Sequence, residues 1–238
     1  MLVQYKSILT QIEKRGESVE RPARSHLSVR LEEGVPIDPL NTFRRKFSNE
    51  EINRFPAYQY SGEIVLVNDK NDLPTALEAL EQESVLGFDT ESRPVFSKGK
   101  RSNPPSLLQL AASDKVFIFQ LGCIGFDREL ALILENAAML KAGVAVRDDI
   151  RELQRLHNFQ PGGFVDLSQV AKHNRLETHG LRNMAANFFG MRISKGARCS
   201  NWALKTLSRK QLLYAATDAW ISRKLYFEMQ TKGLKFLP

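Results

Sequence analysis

The 238-residue chain has only two cysteines, Cys123 and Cys199, and no C-x-x-C pair. That scarcity excludes a disulfide framework and a thiolate zinc site, and a reducing cytoplasm is the expected compartment. Cys199 itself reads as a buried small side chain. The first residues lack the apolar stretch of a signal peptide, and no run reaches the length needed to span a bilayer. A soluble, cytoplasmic protein without a membrane partner is therefore expected. Histidine is also scarce, with four in the chain, and His157, His173 and His179 read as structural or surface residues rather than ligands. No internal repeat is visible.

Acid is missing from two places. Residues 172 to 210 hold nine cations (Lys172, Arg175, Arg182, Arg192, Lys195, Arg198, Lys205, Arg209 and Lys210) against the single acid Glu177. That local excess is larger than the net charge of the whole chain, +7. A second stretch, with Arg93, Lys98, Lys100 and Arg101, has no acid at all. Each is either a phosphate-contacting surface or a solvated loop, and a polyanionic partner is suggested.

What is present is an ordinary globular composition, 42% hydrophobic, sufficient for a sizeable core. Residues 1–56 read as an N-terminal arm: Met1 to Lys14 as a short amphipathic helix, Arg15 to Leu40 as a charged stretch broken by Pro22, Pro36 and Pro39, and Asn41 to Arg54 as holding a short helix with Ser48 as its N-cap. Residues 57–238 read as one domain. Ile64 to Val67 is a strand, Asn71 to Gln82 a helix with Pro74 in its first turn, and Val85 to Glu91 a buried strand. Ser106 to Ala112 and Lys115 to Leu121 form a hairpin across Ser113-Asp114. Helix Asp127 to Asn136 follows, then a short buried parallel strand over Ala142 to Val146 leading into helix Ile150 to His157. Phe164-Val165, helices Leu167 to His173 and Leu181 to Phe189, and one long helix from Ser208 to Met229 complete the chain. Strands, a hairpin, then alternating helix and strand predict an α/β three-layer sandwich with a five- to six-stranded mixed sheet and helices on both faces.

Within that pattern a few carboxylates are out of place. Asp89 and Glu91 lie one residue apart on a strand, so they share one face while Thr90 takes the other. Two neighbouring anions raise each other's pKa unless a cation neutralises them, which reads as half of a hard-metal site. Asp148 or Asp149 stands at the exit of the AGVAV segment. Asp218 sits in the middle of an otherwise apolar helix, where Asp is a poor helix former and needs a reason. Tyr214 is one helical turn before it, on the same face.

Taken together, FDTE, then KAGVAVRDD, then RCSNW followed by LYAATDAW resembles the DEDDy branch of the DnaQ-like 3′-5′ exonucleases, most similar to the Werner-type exonuclease domain and to ribonuclease D. The likeness spans Gly62 to Gln230. It implies a ribonuclease H-like fold and a catalytic set of Asp89 and Glu91, Asp149, and Tyr214 with Asp218. The four carboxylates would bind two ions, Mg2+ or Mn2+ by their oxygen-only chemistry. Asp89 would bridge both ions, Glu91 and Asp218 would hold the one that activates water, Asp149 would act on the other through water, and Tyr214 would orient the attacking water. The expected reaction is removal of nucleoside 5′-monophosphates from the 3′ end of single-stranded or 3′-recessed DNA or RNA. Lys98, Lys100, Arg101 and Arg198 are expected to contact phosphates. Trp202 has two readings, a base-stacking ring or an anchor of its loop on the terminal helix. A ribonuclease D-like RNA-trimming enzyme and a non-catalytic nucleic-acid-binding module are the alternatives.

Overall fold

The computed structural model describes residues 45–97, 99 and 101–236. The expected helix over Met1 to Lys14, the Pro-punctuated stretch to Leu40, and the cations Lys98 and Lys100 lie outside the described residues. Helix α1 (Asn49–Arg54) begins at Ser48, whose side chain accepts from the Glu51 amide while Glu51 accepts in return from the Ser48 amide, a closed capping box. Strand β1 (Ala57–Tyr58) is followed by β2 (Glu63–Val67), a 3-10 turn over Lys70–Asp72, and α2 (Leu73–Glu81), with Pro74 in its first turn as expected.

Strands β3 (Val85–Ser92), β4 (Pro105–Ala111) and β5 (Lys115–Gln120) form the expected meander. Helices α3 (Leu121–Ile124) and α4 (Arg128–Glu135) lead to β6 (Leu140–Gly143) and α5 (Arg147–Gln154). Then come β7 (Phe164–Asp166), α6 (Leu167–His173), α7 (Leu181–Phe189), β8 (Arg192–Ile193) and the 23-residue α8 (Arg209–Thr231). The main sheet has six strands in the order β2-β5-β4-β3-β6-β7. Only β4 runs against its neighbours; every other adjacent pair is parallel. Strands β1 and β8 pair in a separate two-stranded ladder, too short to have a period that sequence could reveal.

Period-two alternation sorts the sheet into two apolar faces. Leu86, Phe88, Leu108, Leu110, Phe117 and Phe119 pack under α2, α4 and α5 through Leu80, Leu130, Leu134 and Leu153. On the opposite face Leu107, Ala111 and Ile118 pack against Ala215, Ala216 and Ala219 of α8, with Val85 and Ala142 beneath α6, α7 and the distal part of α8. A long helix lying on a sheet buries most of its circumference, which explains the weak amphipathicity of α8. It lies close over Gly87, where a Cβ would stand 2.0 Å from the Ala219 carbonyl oxygen. No helix among the described residues is long and apolar enough to cross a membrane.

One expected boundary moves. The strand anticipated over Ala142 to Val146 is instead Leu140–Gly143, and the helix anticipated from Ile150 starts at Arg147. Between them the chain turns at Ala145, which adopts a left-handed φ of 59° and whose amide donates to Asp166 Oδ1 at 2.9 Å. An alanine carries no signal for that conformation, so an apolar run of five looked like a strand. The consequence is that Asp148 and Asp149 occupy the first turn of α5, where exposed amides and the helix dipole favour acids. The described part of the expected arm is tied to the domain: Arg192 donates its amide to Pro56 at 2.9 Å, and the Lys46 amide donates to Glu177 Oε2 at 3.2 Å.

Candidate active site

The catalytic candidates converge where β3 and the N-terminal half of α8 cross. Alternation along β3 turns Val85, Gly87, Asp89 and Glu91 toward α8, and the missing side chain at Gly87 lets the helix come down far enough to bring Asp218 to the strand. One oxygen from each of Asp89, Glu91 and Asp218 lies within 4.8 Å of the others. Asp218 is 8% exposed. Tyr214, one turn earlier, lines the same cleft as Asp218.

The electrostatics follow from burial and like charge. Burial, then the neighbouring Asp218, Glu91 and Asp149 carboxylates, hold Asp89 well above the usual carboxylate range. Burial raises Glu91 to about 9, with Asp218 and Asp149 adding to the rise and the Arg198 guanidinium pulling the other way. Asp218 rises to about 7 through burial, opposed by the Tyr214 hydroxyl. Tyr214 is itself pushed up by burial and by the surrounding anions, so its hydroxyl stays protonated at any ordinary pH. Such a cluster is unfavourable without a cation, and hard oxygen donors at this spacing fit a divalent ion.

The two candidates of the second motif separate clearly. Asp148 points to solvent, its side chain 84% exposed and paired with Arg151 at 3.4 Å. Asp149 turns inward and accepts a 2.5 Å hydrogen bond from the hydroxyl of Thr90. Burial, against that hydrogen bond, lifts Asp149 to about 6. It is not one of the three clustered carboxylates, but its charge is felt by both Asp89 and Glu91. Thr90, the residue between the two acids, thus braces the fourth carboxylate from the far face of the strand. Gln109 stands opposite Asp89 in the β3–β4 ladder, fully buried, with neither amide atom hydrogen-bonded among the described residues.

The nucleic-acid candidates fare unevenly. Arg198 is exposed and lines a cleft of about 330 Å³ together with Tyr214, Asp218, Leu181, Arg182 and Lys195. Arg101 is exposed on the loop from β3 to β4. Trp202 corrects the stacking expectation. It is fully buried in the cluster beneath α8, its ring 5.8 Å from that of Tyr214, and a ring with no accessible face cannot meet a base. It packs instead as the anchor of its loop. Cys199, expected to be buried, is exposed, as is Cys123. Arg182 and Lys195, two of the nine cations between residues 172 and 210, also line this cleft, a placement set by tertiary packing that no local pattern signals.

The family model for the 3′-5′ exonuclease domain matches residues 64–233. The chain belongs to the 3′-5′ exonuclease family. All five catalytic candidates fall inside the matched span. Within the family, the chain is 32% identical over 191 residues to the mouse bifunctional 3′-5′ exonuclease/ATP-dependent helicase WRN, an alignment that covers 76% of this chain and 14% of that protein. It is 29% identical over 165 residues to ribonuclease D of Gluconacetobacter diazotrophicus, covering 68% of this chain and 41% of the relative. The chain therefore spans less than half the length of either. Among solved structures, the EXO domain of Aedes aegypti Nibbler superposes with a TM-score of 0.66 at 24% identity, covering 74% of this chain and 92% of that one. At that identity the likeness speaks for the fold, which is the ribonuclease H-like sandwich of these exonuclease domains.

Proposed function

We propose that this chain is a metal-dependent 3′-5′ exonuclease that hydrolyses phosphodiester bonds of DNA or RNA from the 3′ end and releases nucleoside 5′-monophosphates. The observation that carries the proposal is the meeting of Asp89, Glu91 and Asp218 oxygens within 4.8 Å of one another, inside the span matched by the exonuclease family model. The donor set is all oxygen, which suits Mg2+ or Mn2+ better than zinc. Asp89, Glu91 and Asp218 would hold a pair of such ions, with Asp89 central, and Asp149 would act from the rim. Divalent ions bound there would offset charge on the phosphoryl oxygens and lower the pKa of the attacking water.

The chain's own groups then have distinct tasks. The protonated Tyr214 hydroxyl can hydrogen-bond the attacking water and fix its direction of approach, while Thr90 keeps Asp149 in one orientation. Arg198 supplies positive charge beside Glu91 and a contact for the scissile or neighbouring phosphate. The substrate proposed is single-stranded or 3′-recessed nucleic acid.

The test is digestion of 5′-end-labelled single-stranded RNA, single-stranded DNA and 3′-recessed duplex DNA side by side with Mn2+. A ladder shortening from the 3′ end is expected, and the substrate that yields it separates DNA exonuclease from ribonuclease D-like trimming. Asp89→Ala and Asp218→Ala are expected to abolish the ladder while the protein still folds and binds the oligonucleotide. Full activity in either variant would remove the assignment.

A further inference from the structure

The cleft beside the carboxylates is lined by three cations, and one of them is held from outside the catalytic core. Arg182, in the first turn of α7, lines the cleft together with Lys195, Arg198, Tyr214 and Asp218. None of the three cations has an ion-pair partner among the described residues. Arg182 is oriented by neutral groups only: its Nη2 donates to Asn53 Oδ1 at 2.6 Å and its Nη1 to Asn49 Oδ1 at 3.5 Å, both from α1. The close Asn53 oxygen, with Asn49 at the outer limit of hydrogen bonding, orients the guanidinium without neutralising it, and its Nε is buried without a partner among the described residues. A carboxylate in either place would have cancelled that charge.

We infer that Arg182, presented by α1 together with Lys195, binds the backbone phosphates upstream of the scissile bond. This rests on the exonuclease reading above. An enzyme that removes one nucleotide from a 3′ end has a single nucleotide beyond the bond it cuts, and that nucleotide carries no further phosphate. Apart from the scissile phosphate itself, cations in the cleft can therefore meet only the phosphates of the strand that is retained. Arginine suits this task, because its planar fork can grip phosphate oxygens while part of it is held by the protein. The assignment also gives α1, which lies outside the span matched by the family model, a part in substrate binding: Asn49 and Asn53 act as positioning residues.

Two substrates separate upstream contacts from the chemistry. A single-stranded oligonucleotide has upstream phosphates; the p-nitrophenyl ester of thymidine 5′-monophosphate has none. With the full chain and Mn2+, Arg182→Ala is expected to raise KM for the oligonucleotide about tenfold and to lower the salt dependence of oligonucleotide binding by about one phosphate contact. Its kcat/KM for the ester should stay within about twofold of wild type, since no lost phosphate contact is involved. Asn53→Ala should raise the oligonucleotide KM by a smaller factor with the salt dependence kept, because the charge is still there but no longer aimed. Arg182→Lys should recover the salt dependence and only part of the KM. An unchanged oligonucleotide KM and salt dependence in Arg182→Ala would overturn the inference, as would an equal loss on both substrates, which would place Arg182 in the chemistry or the fold. A wild-type chain inert on both substrates would strike at the exonuclease reading itself. The salt dependence of binding, which needs no turnover, still decides Arg182 in that case.

Discussion

At the scale of single residues, four carboxylates are held above their ordinary pKa values by burial and by each other: Asp89, Glu91 at about 9, Asp149 at about 6 and Asp218 at about 7. In the unfolded chain the same groups titrate near 3.8 and 4.5. Between those ordinary values and the raised ones the folded protein binds more protons than the unfolded chain, so its stability must fall as pH rises. In the presence of a chelator, the melting temperature is expected to be highest below about pH 4 on account of these groups and to decline up to about pH 9, other titrations held equal. Mn2+ should flatten that decline, because a bound cation favours the ionised forms. Asp218→Asn should do the same without metal, and a melting profile with unchanged slope in that variant would contradict the electrostatics described. Asp89 is raised by the charges of all three other carboxylates and Glu91 by those of two, so loss of Asp89 is expected to be less forgiving than that of Glu91; residual hydrolysis by Glu91→Gln exceeding that by Asp89→Asn would show it.

At the scale of elements, the site depends on how closely α8 lies on β3. An alanine at position 87 would put a methyl group 2.0 Å from the Ala219 carbonyl oxygen and 2.9 Å from Arg223 Cβ, and backbone cannot yield as a side chain tip would. Gly87→Ala is expected to cost about 1–3 kcal/mol of stability by overpacking. Because Asp218 is one residue from the point of collision, activity should fall further than the lost stability explains, measured well below the variant's melting temperature. Much of this arrangement was legible. An Asp-x-Glu pair at the end of an apolar strand, and an Asp amid alanines on a helix, are both poor local choices, and two poor choices that converge point to a shared purpose. The parts that were not legible depend on information that no short segment holds. The αL turn at Ala145 hides in an alanine, and with it the true start of α5. Trp202 beside Arg198 looks like a stacking platform until packing puts it under Tyr214. Which of nine cations face the cleft depends on how α7 and the Lys195 loop are set against α8.

At the scale of the whole molecule, the mixed sheet with its one reversed strand and a helix layer on each face was foreseeable from the order of strand and helix patterns, while the link between residues 45–56 and α7 was not. That stretch reads as an arm in sequence, yet Asn49, Asn53 and Pro56 each meet the domain through side-chain or main-chain hydrogen bonds. Helix α8 is secured along its length. A capping box closes its start at Ser208 and Gln211, and Arg223 joins it to the Val85 carbonyl oxygen of β3 at 3.0 Å and to Glu83, just before that strand, at 3.2 Å. Between these two fastenings stand Tyr214 and Asp218. With the helix start closed by its cap and the turn after Asp218 tied by Arg223 to the Val85 carbonyl, opening around Asp218 is expected to involve the strand as well. Amide hydrogen exchange should then report β3 and the N-terminal half of α8 as a single cooperative unit, with both slowing together and by the same factor when Mn2+ is added. Slowing confined to either segment alone would mean that the two halves of the carboxylate cluster move independently.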